Sequence, residues 1–224
     1  MDDSSVPDDN TTWLGSFTSL QDPNKPWLEK SLSTFDIPHV FQVSYTYDLP
    51  IGRQKLVGGD MPKWVDTMIG GWKTNGIWRA SSGRPMNWGT YDGTSLPTYG
   101  GQRPNMVGKP RRTGGKDSVW INQYVANPSS LVLPTPYTLG NAPRAEASIR
   151  DPGSFQVNAS VNKVFSFSAV REGMTMELRL EAQNAFNHPV FGTPDQSIDD
   201  PDFGVISYTA NQPRQMQLGA KINF

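Results

Sequence analysis

Few residues in this chain carry chemistry suited to catalysis or metal binding. Cysteine is absent, which removes thiol nucleophiles, disulfides and thiolate metal sites. The two histidines, His39 and His188, stand next to Pro38 and Pro189. Packing at a turn or strand edge is their expected role, because each adjoins a proline and neither lies in a helix that would set an Asp or Glu beside it. Glu177 and Glu181 flank Arg179 at alternate positions. On a strand that spacing builds a salt ladder, whereas a general acid–base pair needs a specific mutual geometry. Asp199-Asp200-Pro201-Asp202 and Asp8-Asp9-Asn10 lack the spacing of a calcium loop and read as solvated loops. Nucleophile-elbow and phosphate-loop patterns are missing. No catalytic, cofactor or metal site is therefore expected, and the chain is not expected to be an enzyme. The residues best suited to touching a ligand lie in one irregular stretch. Trp120 and Tyr124 offer rings that stack on sugars, and Arg111 and Arg112 offer forks for the phosphates of lipopolysaccharide.

The elements that must position these residues are strands. From His39 to Leu49, Phe41, Val43, Tyr45, Tyr47 and Leu49 alternate with Gln42, Ser44, Thr46 and Asp48, the period-two pattern of a two-faced strand. Pro50-Ile51-Gly52-Arg53 ends it, and the Gln54–Ile69 connection contains a short helical turn around Lys63-Trp64-Val65-Asp66. A second strand is expected from Gly70 to Trp88, with less clean faces: Trp72, Thr74, Gly76, Trp78 and Ala80 facing lipid, against Lys73, Asn75, Ile77, Arg79 and Ser81, whose polar members face water. Residues 89–152 show no periodicity and are dense in Gly, Pro and Asn, as expected of a long loop. Three more strands follow: Phe155 to Phe167, Met174 to Gln183 after a tight turn at 170–173, and Gln215 to Phe224. In the last, Met216, Leu218, Ala220, Ile222 and Phe224 share one face. Trp72, Trp78 and Trp88 read as interfacial aromatics.

Composition narrows the setting. Hydrophobic residues make up 36% of the chain and mean hydropathy is -0.52, so a bundle of membrane helices is excluded. A β-barrel wall is not, because each strand needs an apolar residue only at every second position over about ten residues. Gly (21) and Pro (19) are abundant, which suits many turns. A net charge of -1 with scattered basic residues argues against nucleic acid as a partner. The first ten residues lack the basic and apolar regions of a signal peptide, so a fragment of a longer outer-membrane protein is expected. Residues 1–37 read as a polar extension and 38–224 as barrel strands.

A soluble sandwich that binds polysaccharide through loop aromatics is the alternative, since its strands alternate too. Membrane insertion is favoured by polar faces running four or five positions without a break. Loop lengths that differ between the two ends of the strands favour it as well. That asymmetry puts the 89–152 segment outside the cell.

Several stretches resemble the C-terminal region of Oar-like TonB-dependent receptors of the acidobacterial type. They are Asp36 to Arg53, Gly70 to Pro85, Arg103 to Gly108, Gly140 to Arg144, Glu181 to Gly192 and Phe203 to Phe224, with Leu180-Glu181-Ala182-Gln183-Asn184-Ala185-Phe186-Asn187 the most distinctive. The resemblance implies an all-β, antiparallel up-and-down meander forming the last five or so strands of a 22-stranded outer-membrane barrel, with long outer loops. It implies uptake of a bulky nutrient, a carbohydrate or metal chelate, and a fragment inactive alone. The implied partners are outer-membrane lipid, the rest of the barrel with its plug, and the TonB complex through an N-terminal part outside this chain. The barrel-assembly machinery is a further partner, reading Met216, Leu218, Ala220, Ile222 and Phe224 as its signal.

Overall fold

The computed structural model describes residues 21–22, 24–90, 102–167 and 171–224; Asp8-Asp9-Asn10 and the start of the expected turn, Val170, fall outside them. The described strands are β1 (Val40–Asp48), β2 (Lys73–Ser81), β3 (Pro85–Met86), β4 (Asn105–Met106), β5 (Leu131–Val132), β6 (Glu146–Arg150), β7 (Ser154–Ser166), β8 (Thr175–Gln183) and β9 (Gln215–Asn223), with two short helices, α1 (Lys63–Ile69) and α2 (Asp117–Trp120). All five strands expected from period-two alternation are present, each within a few residues of its expected ends except β2. That strand stops at Ser81, short of the expected Trp88, because Gly83 and Pro85 interrupt the ladder.

The chain divides into two compact units. The first contains Val40–Ser81, Ser154–Val190 and Asn211–Phe224. Its sheet has the order β1-β2-β7-β8-β9, every neighbouring pair antiparallel. This is an up-and-down meander interrupted where the chain leaves for the other unit, between β2 and β7 and again between β8 and β9. The sheet is open: among the described residues β1 and β9 do not pair with each other. The connections at 82–153 and 184–214 leave one rim, and those at 49–72 and 167–174 leave the other.

The second unit comprises described residues of Met1–His39, Ser82–Gly153 and Phe191–Ala210. Sequence shows no period here, yet the segment is not a loose loop. Met86, Trp88, Tyr124, Val125, Leu131, Ala142, Ile149 and Ile206 form a buried cluster flanked by Met106, Trp120, Ile121, Phe191, Ile198 and Phe203. Two-stranded pairings β3-β6 and β4-β5 and many turn hydrogen bonds replace regular ladders. Close backbone approach explains two glycines: a Cβ on Gly140 would lie 1.8 Å from the Arg103 carbonyl oxygen, and one on Gly83 1.8 Å from that of Asp151. Trp88, expected at a membrane interface, is instead buried in this core, since it follows the end of β2. The expected polar extension over 1–37 is described from residue 21, where Gln21, Glu29 and Ser31 are buried.

Candidate functional site

The sheet's registers line up one apolar face across five strands. Phe41, Val43, Tyr45 and Tyr47 of β1 pair with Ala80, Trp78, Gly76 and Thr74 of β2. Those pair in turn with Phe155, Val157, Ala159 and Val161 of β7. Beyond them, Ala182, Leu180, Leu178 and Met176 of β8 oppose Met216, Leu218, Ala220 and Ile222 of β9. Among the described residues nothing covers most of this surface: Leu218 is 76% exposed, Met216 62% and Phe41 59%. Such a contiguous apolar face is far beyond what a soluble monomer leaves in water. Its composition is graded. Many rings lie toward the ends, with Phe41, Trp78, Phe155 and Phe186 near one rim and Tyr47, Trp72 and Phe165 near the other; Val, Ala and Leu fill most of the middle, where Tyr45 lies over Gly76. Trp78 meets Phe186 edge-on at 6.0 Å between ring centroids, and Phe155 meets His188 at 5.7 Å. Two aromatic belts flanking an aliphatic band match the girdles of a transmembrane barrel.

The opposite face is polar throughout, apart from Val40, Ile77 and Val164. Asp48 pairs with Lys73 at 3.3 Å and Arg179 with Glu181 at 2.9 Å. Asn75 donates to Asn162 at 2.9 Å, and Ser81 and Ser154 share a hydrogen bond of 2.8 Å. A shallow depression of about 330 Å³ lies here, lined by Asn75, Ile77, Asn158, Ser160, Arg179 and Glu181 among others. Charged and amide groups in unbroken rows need water or polar ligands, so this face suits an aqueous lumen. Glu177, Arg179 and Glu181 stand in a row on it, the ladder expected of their spacing. The second layer that a sandwich requires is missing among the described residues.

A family model for an outer membrane β-barrel domain matches residues 1–217. The chain belongs to the outer membrane β-barrel domain family. It is accordingly a protein of the bacterial outer membrane, crossing lipid with strands. Neither the curated proteins nor the solved structures contain a match to it. One rim carries the long connections and the other carries the 49–72 and 167–174 connections.

The β-barrel domain's expected ligand-contact residues are separated by burial. Tyr124 is 1% exposed and its hydroxyl donates to the Arg150 carbonyl at 2.6 Å; burial pushes its pKa up to about 12, against the pull of Arg112. Trp120 packs edge-on against Tyr124 at 5.7 Å and Phe191 at 4.8 Å, its indole N–H donating to Asp117. Both rings thus serve the second unit's core, while Arg111 and Arg112 remain exposed. Met216, Leu218, Ala220 and Ile222 occupy the apolar face of β9, and Phe224 follows it, 84% exposed. Among the described residues no three His, Asp or Glu side chains converge on a metal-sized site. Asp200 accepts a hydrogen bond from the Asp202 N–H, closing a turn.

Three polar positions gave no signal in the sequence. Asn184, inside the distinctive box, is buried and adopts φ 48°, a left-handed conformation that Asn tolerates better than most residues. Its side chain donates to the His188 and Gln212 carbonyls, both at 3.1 Å, and accepts from the His188 N–H at 2.9 Å. It thereby ties the end of β8 to the approach of β9. In the second unit, Arg103 forks onto buried Glu29 at 3.1 and 3.0 Å and reaches Gln21 at 2.5 Å. Burial lowers the Arg103 pKa, which Glu29 partly offsets. Asp151 accepts from the Thr193 hydroxyl at 3.2 Å; desolvation raises its pKa to about 6 despite that bond and the nearby Arg84.

Proposed function

We propose that this chain supplies wall strands and outer loops of a TonB-dependent outer-membrane receptor of the Oar-like type. Such a receptor takes up a bulky nutrient, a carbohydrate or a metal chelate. The observation that carries this reading is the polar face, a surface dominated by amides and ion pairs opposite a lipid-facing one, as a solute pathway requires. Two further features support it. The open sheet leaves one hydrogen-bonding edge of β1 and one of β9 without a partner among the described residues. Unpaired backbone groups in hydrocarbon cost several kcal/mol each, so further strands must complete the wall. In this reading the rim with long connections faces outside the cell, as in other barrels of this kind, and the second unit is a folded structure on which ligand contacts can be built, with Arg111 and Arg112 at its surface. In this reading the wall needs the rest of the barrel, its plug and the inner-membrane TonB complex to transport, and the isolated chain does not. The exposed edge of β9 is the segment that the barrel-assembly machinery would engage by strand addition.

The test is uptake by cells that carry or lack the whole gene, offered a panel of labelled oligosaccharides and ferric chelates. Gene-dependent uptake of at least one compound, abolished when the TonB complex is inactivated, is the expected result. Uptake that persists without the complex would overturn the reading.

A further inference from the structure

The 49–72 connection is far longer than a rim turn needs, and its apolar side chains do not enter a core. Leu56 is 91% exposed, Trp64 73% and Met68 62%. Trp64 and Met68 lie four residues apart on α1 and so share a helix face. Exposed cationic residues, Arg53, Lys55 and Lys63, stand among them. The segment is nonetheless firmly built. The Asp66 carboxylate accepts the Arg53 N–H at 2.7 Å, the Gly52 N–H reaches the Val57 carbonyl at 3.0 Å and the Gly70 N–H that of Asp66 at 2.8 Å. A Cβ on Gly70 would lie 3.1 Å from the Gly52 Cα, so the two chain segments touch through their backbones.

What fixes the level of this segment is Lys163, the single charged residue among the described strand positions of the apolar face. Its ammonium donates to the carbonyl oxygens of Gly70 and Asp66 at the C-terminal end of α1. It also lies 5.8 Å from the Trp72 ring centroid and 4.9 Å from that of Phe165. A lysine on the lipid face costs about 2–4 kcal/mol at the bilayer midplane and about 0–1 kcal/mol near the interface. Its stem therefore runs along the wall and its head ends where hydrocarbon gives way to headgroups. Of the carbonyls that receive it, that of Asp66 lies in α1 and that of Gly70 caps it, so α1 sits on the lipid side of the wall at that same boundary.

We propose that the 49–72 connection is an interfacial foot that docks on the periplasm-facing phospholipid leaflet, with Leu56, Trp64 and Met68 entering the acyl boundary and Arg53, Lys55 and Lys63 among the headgroup phosphates. Phospholipid is the occupant because the surface continues the lipid-facing wall through Trp72 and Phe165, and because it pairs apolar side chains with cations as interfacial helices do. Lys163 positions the foot by clamping the end of α1.

The chain's lack of cysteine allows single nitroxide labels. Met68→Cys, Leu56→Cys, Leu218→Cys and Arg111→Cys proteins are extracted from outer membranes, labelled and placed in vesicles of phosphatidylethanolamine with phosphatidylglycerol. Collisions with oxygen and with a water-soluble nickel chelate then report depth. Labels at 68 and 56 are expected to show an oxygen-to-nickel ratio severalfold above that at 111, approaching the ratio at 218. Adding Lys163→Met is expected to return the label at 68 toward the ratio at 111 while 218 stays unchanged. Nickel access at 68 and 56 equal to that at 111, with 218 still in lipid, would overturn the foot and leave the wall standing. The same access with the label at 68 strongly immobilised would indicate a protein partner there instead and would equally overturn it. An unaltered ratio at 68 in the Lys163→Met protein would overturn the clamp.

Discussion

Asn184 shows how much one polar side chain can organise. It holds three backbone groups around the turn that leaves β8, and its own N–H donates to the Asn158 side chain at 3.0 Å. Replacing it by Ala strands buried donors and acceptors, each worth about 1–3 kcal/mol when left unmade. Asn184→Ala is expected to lower the stability of the strand unit by about 2–4 kcal/mol, read as an earlier midpoint in urea unfolding. Asp151 is a different case, because its cost depends on pH. Its folded pKa of about 6 lies above the ordinary 3.8, so the folded state holds the proton more tightly than the unfolded chain. The stabilisation is therefore complete below the ordinary value and is lost as pH rises through about 6. Thr193 and Arg84 are the groups that oppose this shift. Asp151→Asn is expected to flatten the decline in thermal midpoint between pH 4 and pH 7; an unchanged slope would assign the pH dependence to another group.

At the scale of elements, cross-strand pairs decide which face is which. Tyr45 lies directly opposite Gly76, and a Cβ on Gly76 would come within 2.5 Å of the Tyr45 ring. The ring covers the bare glycine backbone on the lipid side. Gly76→Ala should destabilise the wall, and Gly76→Ala with Tyr45→Ala should destabilise it by less than the two single changes added together, a coupling measurable in a double-mutant cycle. Neighbouring positions of β9 provide a test of facing. Leu218→Arg should cost about 2–4 kcal/mol in lipid, whereas Gln217→Arg, on the polar face, should cost little; equal penalties would mean the faces are misassigned. These strands were legible in the sequence because period two is imposed locally by lipid on one side and water on the other. Phe41 to Tyr47 and Met216 to Ile222 display it without a break. Lys163 breaks that rule, and its role was not legible, because the carbonyls that hold it come from residues more than 90 positions away.

For the whole molecule, the larger surprise is the folded character of the segments between and beside the strands. Alternation could not reveal it, since the cluster of Met86, Trp88, Tyr124, Val125 and Ile206 is built from irregular backbone and distant contacts. Trp120 and Tyr124 therefore looked available to a ligand when they were needed for packing. Arg111 and Arg112, by contrast, are exposed. Met86 is fully buried, so Met86→Ala should cost about 2–5 kcal/mol. Hydrogen exchange should then show lost protection within residues 102–150, with the five strands of the sheet still protected.

That second unit also has a consequence in time. The Tyr124 N–H donates to the Gly204 carbonyl and the Ile206 N–H to the Ile121 carbonyl, each at 2.8 Å. Its packing therefore cannot finish until the chain beyond β8 has emerged. The β7-β8 hairpin needs only adjacent residues, and such local pairings form early, while closures over many residues come late. Until then Trp88 and Tyr124 travel unburied, so this second unit is the part of the protein most in need of a chaperone's shelter.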